Sequence, residues 1–526
     1  MSLARDITTV GGATLASRLL GFFRDMGVAA VLGAGVASDA FLAVLQIANF
    51  FRRLLAEGAL NAAFVPLWLR RKAADGGSGA HQFLLEVLAA MLLAVGALTL
   101  IGLLFAPGVI DALAPGFNGE RHALATNYLR LAAPYVALAG IVAVLAAALN
   151  AEGRFRAVAL GVVAFNAVLL GALAWVFAFG TTPSSAVGAT FALAIVLAGT
   201  AQLLVTGIGF GFSFSGLRLH RADKPVRPRF GLSTDTRRLF TLAVPGLIAA
   251  GVPQMKLIAG AMIASPSPAA VSWLYYANRL YELPLGVVAI AITSVLVRTI
   301  AASVRSGEPT QTAAAQSRGF EIALGLALPA AIAFAVLAEP IARGLFERGA
   351  FGARDTAAVA AALAAICAGL PGHALEKVFG AVSFAREDTR TPMLAALAGL
   401  AAAIAGAMAL FPRHGAVGIA AAIAISGWVG ASLLGVILAR RGWLALDRTG
   451  TRRLPRIVLA AAVMGMVIFA LNALLAAPLA GSSSQLIRLG ALALLVAVGL
   501  AAYLGGLQLL GVARLRDLIR AVREGT

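Results

Sequence analysis

Long apolar segments recur along nearly the whole chain, and they constrain its fold more than any other feature. A helix needs about 20 mainly apolar residues to cross about 30 Å of hydrocarbon. Fourteen segments satisfy this length, and we predict spans at residues 7–33, 37–68, 82–106, 123–149, 157–180, 185–213, 233–262, 268–300, 318–338, 355–383, 391–411, 416–439, 455–478 and 485–512. The runs lack the ten-residue alternation of a β-barrel. The predicted fold class is therefore an all-α polytopic membrane protein.

The basic residues follow the connections between these spans. The chain has 42 Lys and Arg against 23 Asp and Glu, a net charge of +19. Such a charge suggests nucleic acid in a soluble protein, but cytoplasmic loops of membrane proteins collect Lys and Arg, so no nucleic-acid partner is predicted. Alternate connections are rich and poor in basic residues, except for one loop with Arg343, Arg348 and Arg354. This bias predicts that both termini are cytoplasmic.

A long basic connection divides the chain, and the two sides resemble each other weakly. LFAPGVIDALAPGF is echoed by LAEPIARGLFERGAF, and each is followed by a helix containing a proline, Pro134 or Pro371. Repeated halves with a substrate site between them are typical of transporters. We predict an N-terminal lobe at 1–216, a cytoplasmic linker at 217–238, a C-terminal lobe at 239–440, and two further spans with a basic tail at 441–526.

Several predicted spans carry charges, although a charge at the bilayer centre costs about 2.5–3.5 kcal/mol. Arg18 and Asp25 are seven residues apart on almost the same helix face, so Asp25 is expected to hold Arg18. Arg53 and Glu57 have the i,i+4 spacing of an ion pair. Glu282 lies within helical reach of its neighbours Asn278 and Arg279. These acids do not match all of the cations.

The unmatched cations predict the chemistry of the substrate. They are Arg18, Arg24, Arg52, Arg279 and Lys377. An excess of cations in an internal cavity implies an anionic substrate, and the planar guanidinium of arginine suits phosphate. Whether Lys256 adds to this charge or extends towards the membrane surface stays open.

Motifs for catalysis are missing from the sequence. It has no Walker A pattern, no HExxH, no DxxD-type metal cluster and no GxSxG. We therefore predict a protein that is not an enzyme and has no catalytic residues, no metal site and no cofactor. Transport by such a chain would be driven by an ion gradient or by membrane potential, and the sequence does not identify a coupling ion.

The segment TLASRLLGFFRDMGVAAVLGAGVASDAFLAVLQIANFFRRLLAEGALNAAFVP at residues 14–66 resembles the MurJ (MviN) family of lipid II flippases. The family belongs to the multidrug/oligosaccharidyl-lipid/polysaccharide exporter superfamily. The resemblance continues in VSWLYYANRLYELPLGV, FERGAF and EKVFGAVSFAREDTRTP. It implies two pseudo-symmetric six-helix lobes around a central cationic cavity, plus two C-terminal helices whose groove takes the lipid tail. It also implies alternating access in a bacterial inner membrane during peptidoglycan biosynthesis.

The resemblance assigns roles to particular residues. It implies that substrate is bound by Ser17, Arg18, Arg24, Asn49, Arg52, Arg279 and Lys377. It also places the family's acidic second-span positions at Asp39 and Glu57, which join Asp25, Arg53 and Glu282, taken from the spacing, as the charge-partner and conformational residues. Many relatives have Asp where this chain has Asn278, a change expected to leave Arg279 freer for phosphate.

Other functions remain open at this point. The implied partners are lipid II, membrane lipids and other proteins of cell-wall synthesis. A flippase for another undecaprenyl-diphosphate-linked oligosaccharide would use the same arginines. A non-transporting scaffold for cell-wall proteins would need no charges inside its spans. A drug antiporter of the same superfamily is expected to have an acidic cavity, and a polyprenyl-phosphate transferase an acidic metal motif.

Overall fold

The computed structural model describes residues 2–56, 59–180, 184–211, 233–292, 296–479 and 484–512, and it has no β-strand there. Its helices are α1 (Ser2–Leu32), α2 (Val36–Ala56), α3 (Ala59–Leu104), α4 (Ala106–Leu113), α5 (Gly119–Ala132), α6 (Pro134–Ala151), α7 (Phe155–Phe179), α8 (Ser184–Phe210), α9 (Thr234–Ala264), α10 (Ala270–Ala291), α11 (Val297–Ser306), α12 (Pro309–Val336), α13 (Ala338–Phe346), α14 (Ala353–Cys367), α15 (Leu370–Phe384), α16 (Arg390–Arg440), α17 (Arg448–Leu474), α18 (Ala476–Leu479) and α19 (Gln485–Leu509).

The all-α membrane fold predicted from the apolar runs is confirmed. Among the described residues, nine helical stretches are long and apolar enough to cross a membrane. The predicted number of fourteen spans stays a prediction. Two long helices bend sharply at a glycine, α3 at Gly76 (φ 67°, ψ −160°) and α16 at Gly415 (φ 55°, ψ −137°). Glycine tolerates these positive φ angles because it has no Cβ, and Gly415 lies between two predicted spans.

Two other predicted spans are broken at proline. The segment 123–149 contains the end of α5 at Ala132 and the start of α6 at Pro134. The segment 355–383 contains the end of α14 and then α15, which has Pro371 in its first turn. Proline lacks an N–H and suits this position, where the N–H has no helical partner. The helix order α4–α5–α6 is thus repeated as α13–α14–α15.

The described helices form two compact units, unit 1 (Met1–Ser272) and unit 2 (Trp273–Thr526). The main core of unit 1 joins α3, α6 and the start of α9, with Phe64 packed on Trp68 and Phe83. The seventh predicted span, α9, therefore packs with unit 1, whereas the sequence counted it with the second lobe. Residues 212–232, which contain most of the predicted linker, lie outside the described residues.

Ion pairs hold one end of α3 in unit 1. Lys72 and Trp68 donate hydrogen bonds to Glu152, at 2.7 and 2.9 Å, and Arg70 and Arg71 pair with Asp235 at the start of α9. Burial opposes ionisation of Glu152, but the bonds from Lys72 and Trp68 outweigh it and lower the pKa of the carboxyl. Arg70, Arg71 and Lys72, which lie between the second and third predicted spans, are therefore tied to neighbouring elements.

Candidate functional site

A buried polar cluster ties α1 to α7 in unit 1. Arg24 is 7% exposed, and its Nε and Nη2 donate to Oδ1 of Asp25 at 2.9 and 2.7 Å. Its Nη1 donates to Oδ1 of Asn166 on α7 at 3.4 Å. The amide of Asn166 in turn donates to Ser17 Oγ at 3.0 Å. Arg24, Asn166 and Ser17 therefore form one connected network across two helices.

The structure corrects the expected partner of Asp25. Helical spacing paired Asp25 with Arg18, but the carboxylate binds the guanidinium of Arg24, its neighbour in sequence. The Arg24 side chain is long enough to fold back, so that its Nε and Nη2 both reach the carboxylate of the adjacent residue. Arg18 is exposed. Asn166 was not a sequence candidate, since a lone asparagine in an apolar run gives no signal without knowledge of its neighbour.

The α2 candidates lie on the part of that helix after the buried Val44 and Leu45. Asn49, Arg52 and Arg53 are all half-buried. Glu57, the predicted partner of Arg53, lies outside the described residues, and so this pair stays a prediction.

Asp39 at the start of α2 makes contacts that the sequence did not predict. Its carboxylate is fully buried and accepts hydrogen bonds from the backbone N–H groups of Ala269 (2.8 Å) and Ser272 (3.0 Å). The Ser272 hydroxyl donates to it at 2.6 Å, and Arg121 Nη1 lies 3.6 Å away. Free N–H groups at a helix start favour a carboxylate, so Asp39 caps α10 from another helix.

Arg121 extends this junction to the turn before α10. Its Nη1 donates to the Ser265 carbonyl at 3.1 Å, and its guanidinium lies over the ring of Phe117. The N–H of Gly116 donates to Ser265 Oγ at 2.8 Å, and a Cβ on Gly116 would lie 2.2 Å from the backbone nitrogen of Pro266. The turn before α10 is therefore held in place by contacts from the α4–α5 region.

In unit 2, the eighth-span candidates lie together on α10. Arg279 Nη1 is 3.6 Å from Glu282 Oε2, and the Asn278 amide donates to Glu282 Oε1 at 3.4 Å. These contacts were predicted from the spacing and are present. The side chains of Arg279 and Glu282 are 22% and 24% exposed. Arg279 therefore has an acidic neighbour despite the asparagine at position 278.

The α15 candidate Lys377 is exposed and one residue from the half-buried Glu376. The preceding turn carries His373, whose Nδ1 is 2.8 Å from the Tyr281 hydroxyl of α10. Gly427 of α16 allows the His373 ring to pack against that helix, because a Cβ on Gly427 would lie 2.4 Å from the ring. Tyr281 and His373 thus link α10 to α15, a contact the sequence did not predict.

The sequence left the position of Lys256 open and predicted no metal site. Lys256 on α9 is buried, with 8% of its surface exposed. In the part of the chain that the structure describes, no group of three or more His, Cys, Asp and Glu side chains is positioned for a metal ion.

Comparison with known proteins gives consistent matches along the chain. A family model described as lipid II flippase MurJ matches residues 28–489. The probable lipid II flippase MurJ of Rhizobium meliloti is 39% identical over 528 residues, which cover 100% of this chain and 97% of that protein. The protein of the same name from Rhizobium tropici is 38% identical over 96% of this chain and 93% of its own length. The lipid II flippase MurJ of Burkholderia cenocepacia is 29% identical over 84% and 85% of the two chains.

Solved structures share the fold. A lipid II flippase MurJ in an inward closed conformation matches with a TM-score of 0.77 and 22% identity, over 97% of this chain and 99% of that one. An inward-facing multidrug resistance transporter of the MATE family matches with a TM-score of 0.64 and 16% identity, over 81% and 94%. At these identities the likeness is one of fold.

Proposed function

The chain belongs to the MurJ family of lipid II flippases, a transporter family rather than an enzyme family, and from this premise we propose that it moves lipid II across the bacterial inner membrane. The direction is from the cytoplasmic to the periplasmic leaflet, by alternating access, with both termini in the cytoplasm. The observation that carries the proposal is the full-length match to relatives of this name, joined to charged side chains inside apolar helices.

The head of lipid II is anionic, and the proposed ligands are cationic. Arg52 and Arg279 are half-buried, so each side chain is partly accessible to a diphosphate oxygen. Arg18 and Lys377 are exposed and raise the positive potential of their units. Ser17 and Asn49 add polar groups for the sugar or peptide part of the head.

Arg24 has a different position in this proposal. Its guanidinium is buried and bound by Asp25 and Asn166, next to a cavity otherwise lined by apolar side chains such as Phe41 and Leu169. Binding of phosphate to Arg24 therefore requires exchange of one of these bonds. A buried cation is stable only while paired, so such an exchange links substrate to the packing of α1 on α7.

Asp39 is proposed to stabilise one conformation of the cycle. It joins the start of α2 to the start of α10 through three hydrogen bonds, and these bonds form only where the two helix starts lie together. A conformation that separated them would leave buried N–H groups and a carboxylate unsatisfied, at a cost of about 1–3 kcal/mol for each group.

Membrane potential is the proposed driving force. One elementary charge that crosses 100 mV gains about 2.3 kcal/mol, enough to bias a cycle in which charged helices or an anionic head change position. An ion gradient is the alternative source.

Complementation tests this function. Cells depleted of their own flippase would express the chain, and lipid II accessible from outside would be measured with an externally added lipid II-cleaving enzyme. The wild-type chain and Arg305→Ala, an exposed arginine bound to its own helix, should restore accessible lipid II. Arg279→Ala and Arg52→Glu should reduce it about tenfold or more.

A well-expressed wild-type chain that left lipid II inaccessible would overturn the proposal. Recovery of another undecaprenyl-diphosphate-linked oligosaccharide in the same cells would then favour that substrate. Recovery of growth with no change in any lipid would favour a scaffold.

A further inference from the structure

A cluster of arginines joins α13 to the start of α19 in unit 2. It contains Arg343 and Arg488, which both contact the carboxylate of Glu347, and Arg348, which binds carbonyls at the end of α13. Gln485 connects the two helices directly, by a hydrogen bond of 2.7 Å to the Gly344 carbonyl. Arg343 and Arg348 belong to the loop that is an exception to the alternation of basic and non-basic connections. The usual enrichment of Lys and Arg in cytoplasmic loops therefore does not account for them.

The guanidinium group of Arg343 is fully occupied by hydrogen-bond acceptors within the protein. Its Nε lies 3.3 Å from Glu347, its Nη2 lies 2.5 Å from Glu339, and its Nη1 donates to the Leu479 carbonyl at 3.2 Å. Each nitrogen thus has an acceptor, and Arg343 holds α13 to the end of α18.

Arg348 and Arg488 keep hydrogen-bonding capacity. Arg348 uses Nη2 on the carbonyls of Gly344 and Leu345 at the end of α13. Arg488 lies 3.5 Å from Glu347 through Nη1. Among the described residues, the buried Nε of either arginine has no hydrogen-bond partner, and Nη1 of Arg488 makes no hydrogen bond beyond its 3.5 Å ion-pair contact with Glu347. Arg348 and Gln485, in the first turn of α19, donate to the same Gly344 carbonyl, which brings Arg348 to the start of that helix. Burial and then the charge of Arg488 lower the pKa of Arg348.

The charges of this cluster do not balance. Glu347 is shared by Arg343 and Arg488, and within the part of the chain that the structure describes no carboxylate pairs with Arg348. The Arg488 side chain is only 12% exposed, and it lies in the first turns of α19, where the helix dipole disfavours a cation. A partly buried cation without a counter-charge is costly, and a bound anion removes that cost.

We propose that Arg348 and Arg488 bind the phosphate of a membrane lipid whose chain lies along α19. The next positions support an amphiphile rather than a free ion, because Leu486 is 82% exposed and Ile487 is 53% exposed beside the cluster. A planar guanidinium pair suits phosphate oxygens. The chemistry fits the diphosphate of a polyprenyl lipid and the phosphate of a glycerophospholipid. The site uses none of the residues proposed for the flippase cycle.

A photo-crosslinking benzoyl-phenylalanine at Leu486 gives a readout confined to this site. The full chain in maltoside micelles, which contain no phosphate, would be titrated with farnesyl diphosphate, phosphatidylglycerol or farnesol. Mass spectrometry of the α19 peptide then yields the adduct and its half-saturation concentration. We expect saturable adducts with the two phosphorylated lipids and weak ones with farnesol. The lower half-saturation concentration identifies the source of the phosphate.

Charge variants separate binding from structural support. Arg488→Gln and Arg348→Gln should each raise the half-saturation concentration about tenfold. Glu347→Gln removes the competing carboxylate and should lower it, the opposite of what a merely structural role predicts. Arg413→Gln, an exposed arginine at the α16 bend, is the matched control and should change nothing.

Three results would overturn the proposal. They are equal half-saturation by farnesol and farnesyl diphosphate, wild-type binding by Arg488→Gln, and weakened binding by Glu347→Gln. The crosslinking readout is local to α19. Each of these outcomes would therefore overturn this proposal without deciding whether the chain transports lipid II, which the complementation experiment tests separately.

Discussion

Asn166 on α7 accepts a hydrogen bond from Arg24 on α1, although the two residues are 142 positions apart. The same amide donates to Ser17, about two turns earlier than Arg24 on α1. One neutral side chain thus orients a buried arginine and fixes the packing of its helix. Four predictions follow from contacts of this kind.

We expect Asn166→Ala to loosen α1 and to impair transport. The substitution removes the acceptor of Arg24 Nη1 and the donor to Ser17, and a buried group left unsatisfied costs about 1–3 kcal/mol. The melting temperature of the purified protein and the level of externally accessible lipid II should both fall. Thr200→Ala is the control, since its exposed hydroxyl binds only its own helix. Equal melting of the two variants would contradict the role of Asn166.

Two substitutions weaken the Asp39 cap of α10 to different degrees, and we expect the stability of the protein to fall in the same order. Ser272→Ala removes the hydroxyl bonds to Asp39 (2.6 Å) and Ser38 (3.1 Å), whereas Asp39→Asn removes the charge that also faces Arg121. We expect a loss of about 1 kcal/mol of stability for the first and more for the second, because Arg121 is buried. Thermal melting in detergent checks the order. A larger loss for Ser272→Ala than for Asp39→Asn would be inconsistent with a charge-based cap.

Glu282→Gln should tighten the binding of an anionic lipid head. The carboxylate lies 3.6 Å from Arg279 and neutralises part of its charge, and glutamine keeps a similar shape without the charge. Affinity of the purified protein for lipid II should rise severalfold, and release should slow, so that accessible lipid II in cells falls. Glu308→Gln changes an exposed carboxylate elsewhere and should leave affinity as it is. Weaker binding by Glu282→Gln would exclude Arg279 as a ligand of the head.

Acid should destabilise the turn between α15 and α16. Burial opposes ionisation of Asp388, but hydrogen bonds from Thr391 and the guanidinium of Arg441 outweigh it, and the pKa of the carboxyl is lowered. Such a group stabilises the fold above its unfolded pKa of about 4, and the contribution is lost as pH falls through the lower folded pKa. The melting temperature of wild type should therefore drop more steeply below about pH 4 than that of Asp388→Asn.

The neighbouring carboxylate provides the control for this pH dependence. Glu387 is exposed, so Glu387→Gln should retain the steep acid response of wild type. Identical profiles for Asp388→Asn and wild type would show that another group controls the acid range.

The apolar runs alone were enough to predict an all-α membrane protein, because length and hydropathy decide whether a helix crosses lipid. Local chemistry also predicted contacts within a single helix, those of Glu282 with Asn278 and Arg279. These features depend on residues a few positions apart. The resemblance of residues 14–66 pointed to the same family that the whole chain matches.

Only the tertiary structure decided which distant groups meet. Helical spacing assigned Asp25 to Arg18, whereas the carboxylate binds Arg24. The resemblance gave Asp39 only a role as a charge partner or conformational residue, yet it caps a helix that begins more than two hundred residues later. Periodicity records which face of a helix is apolar, but it does not record which helix packs against that face. The partners of buried charges therefore emerge only when the helices are assembled.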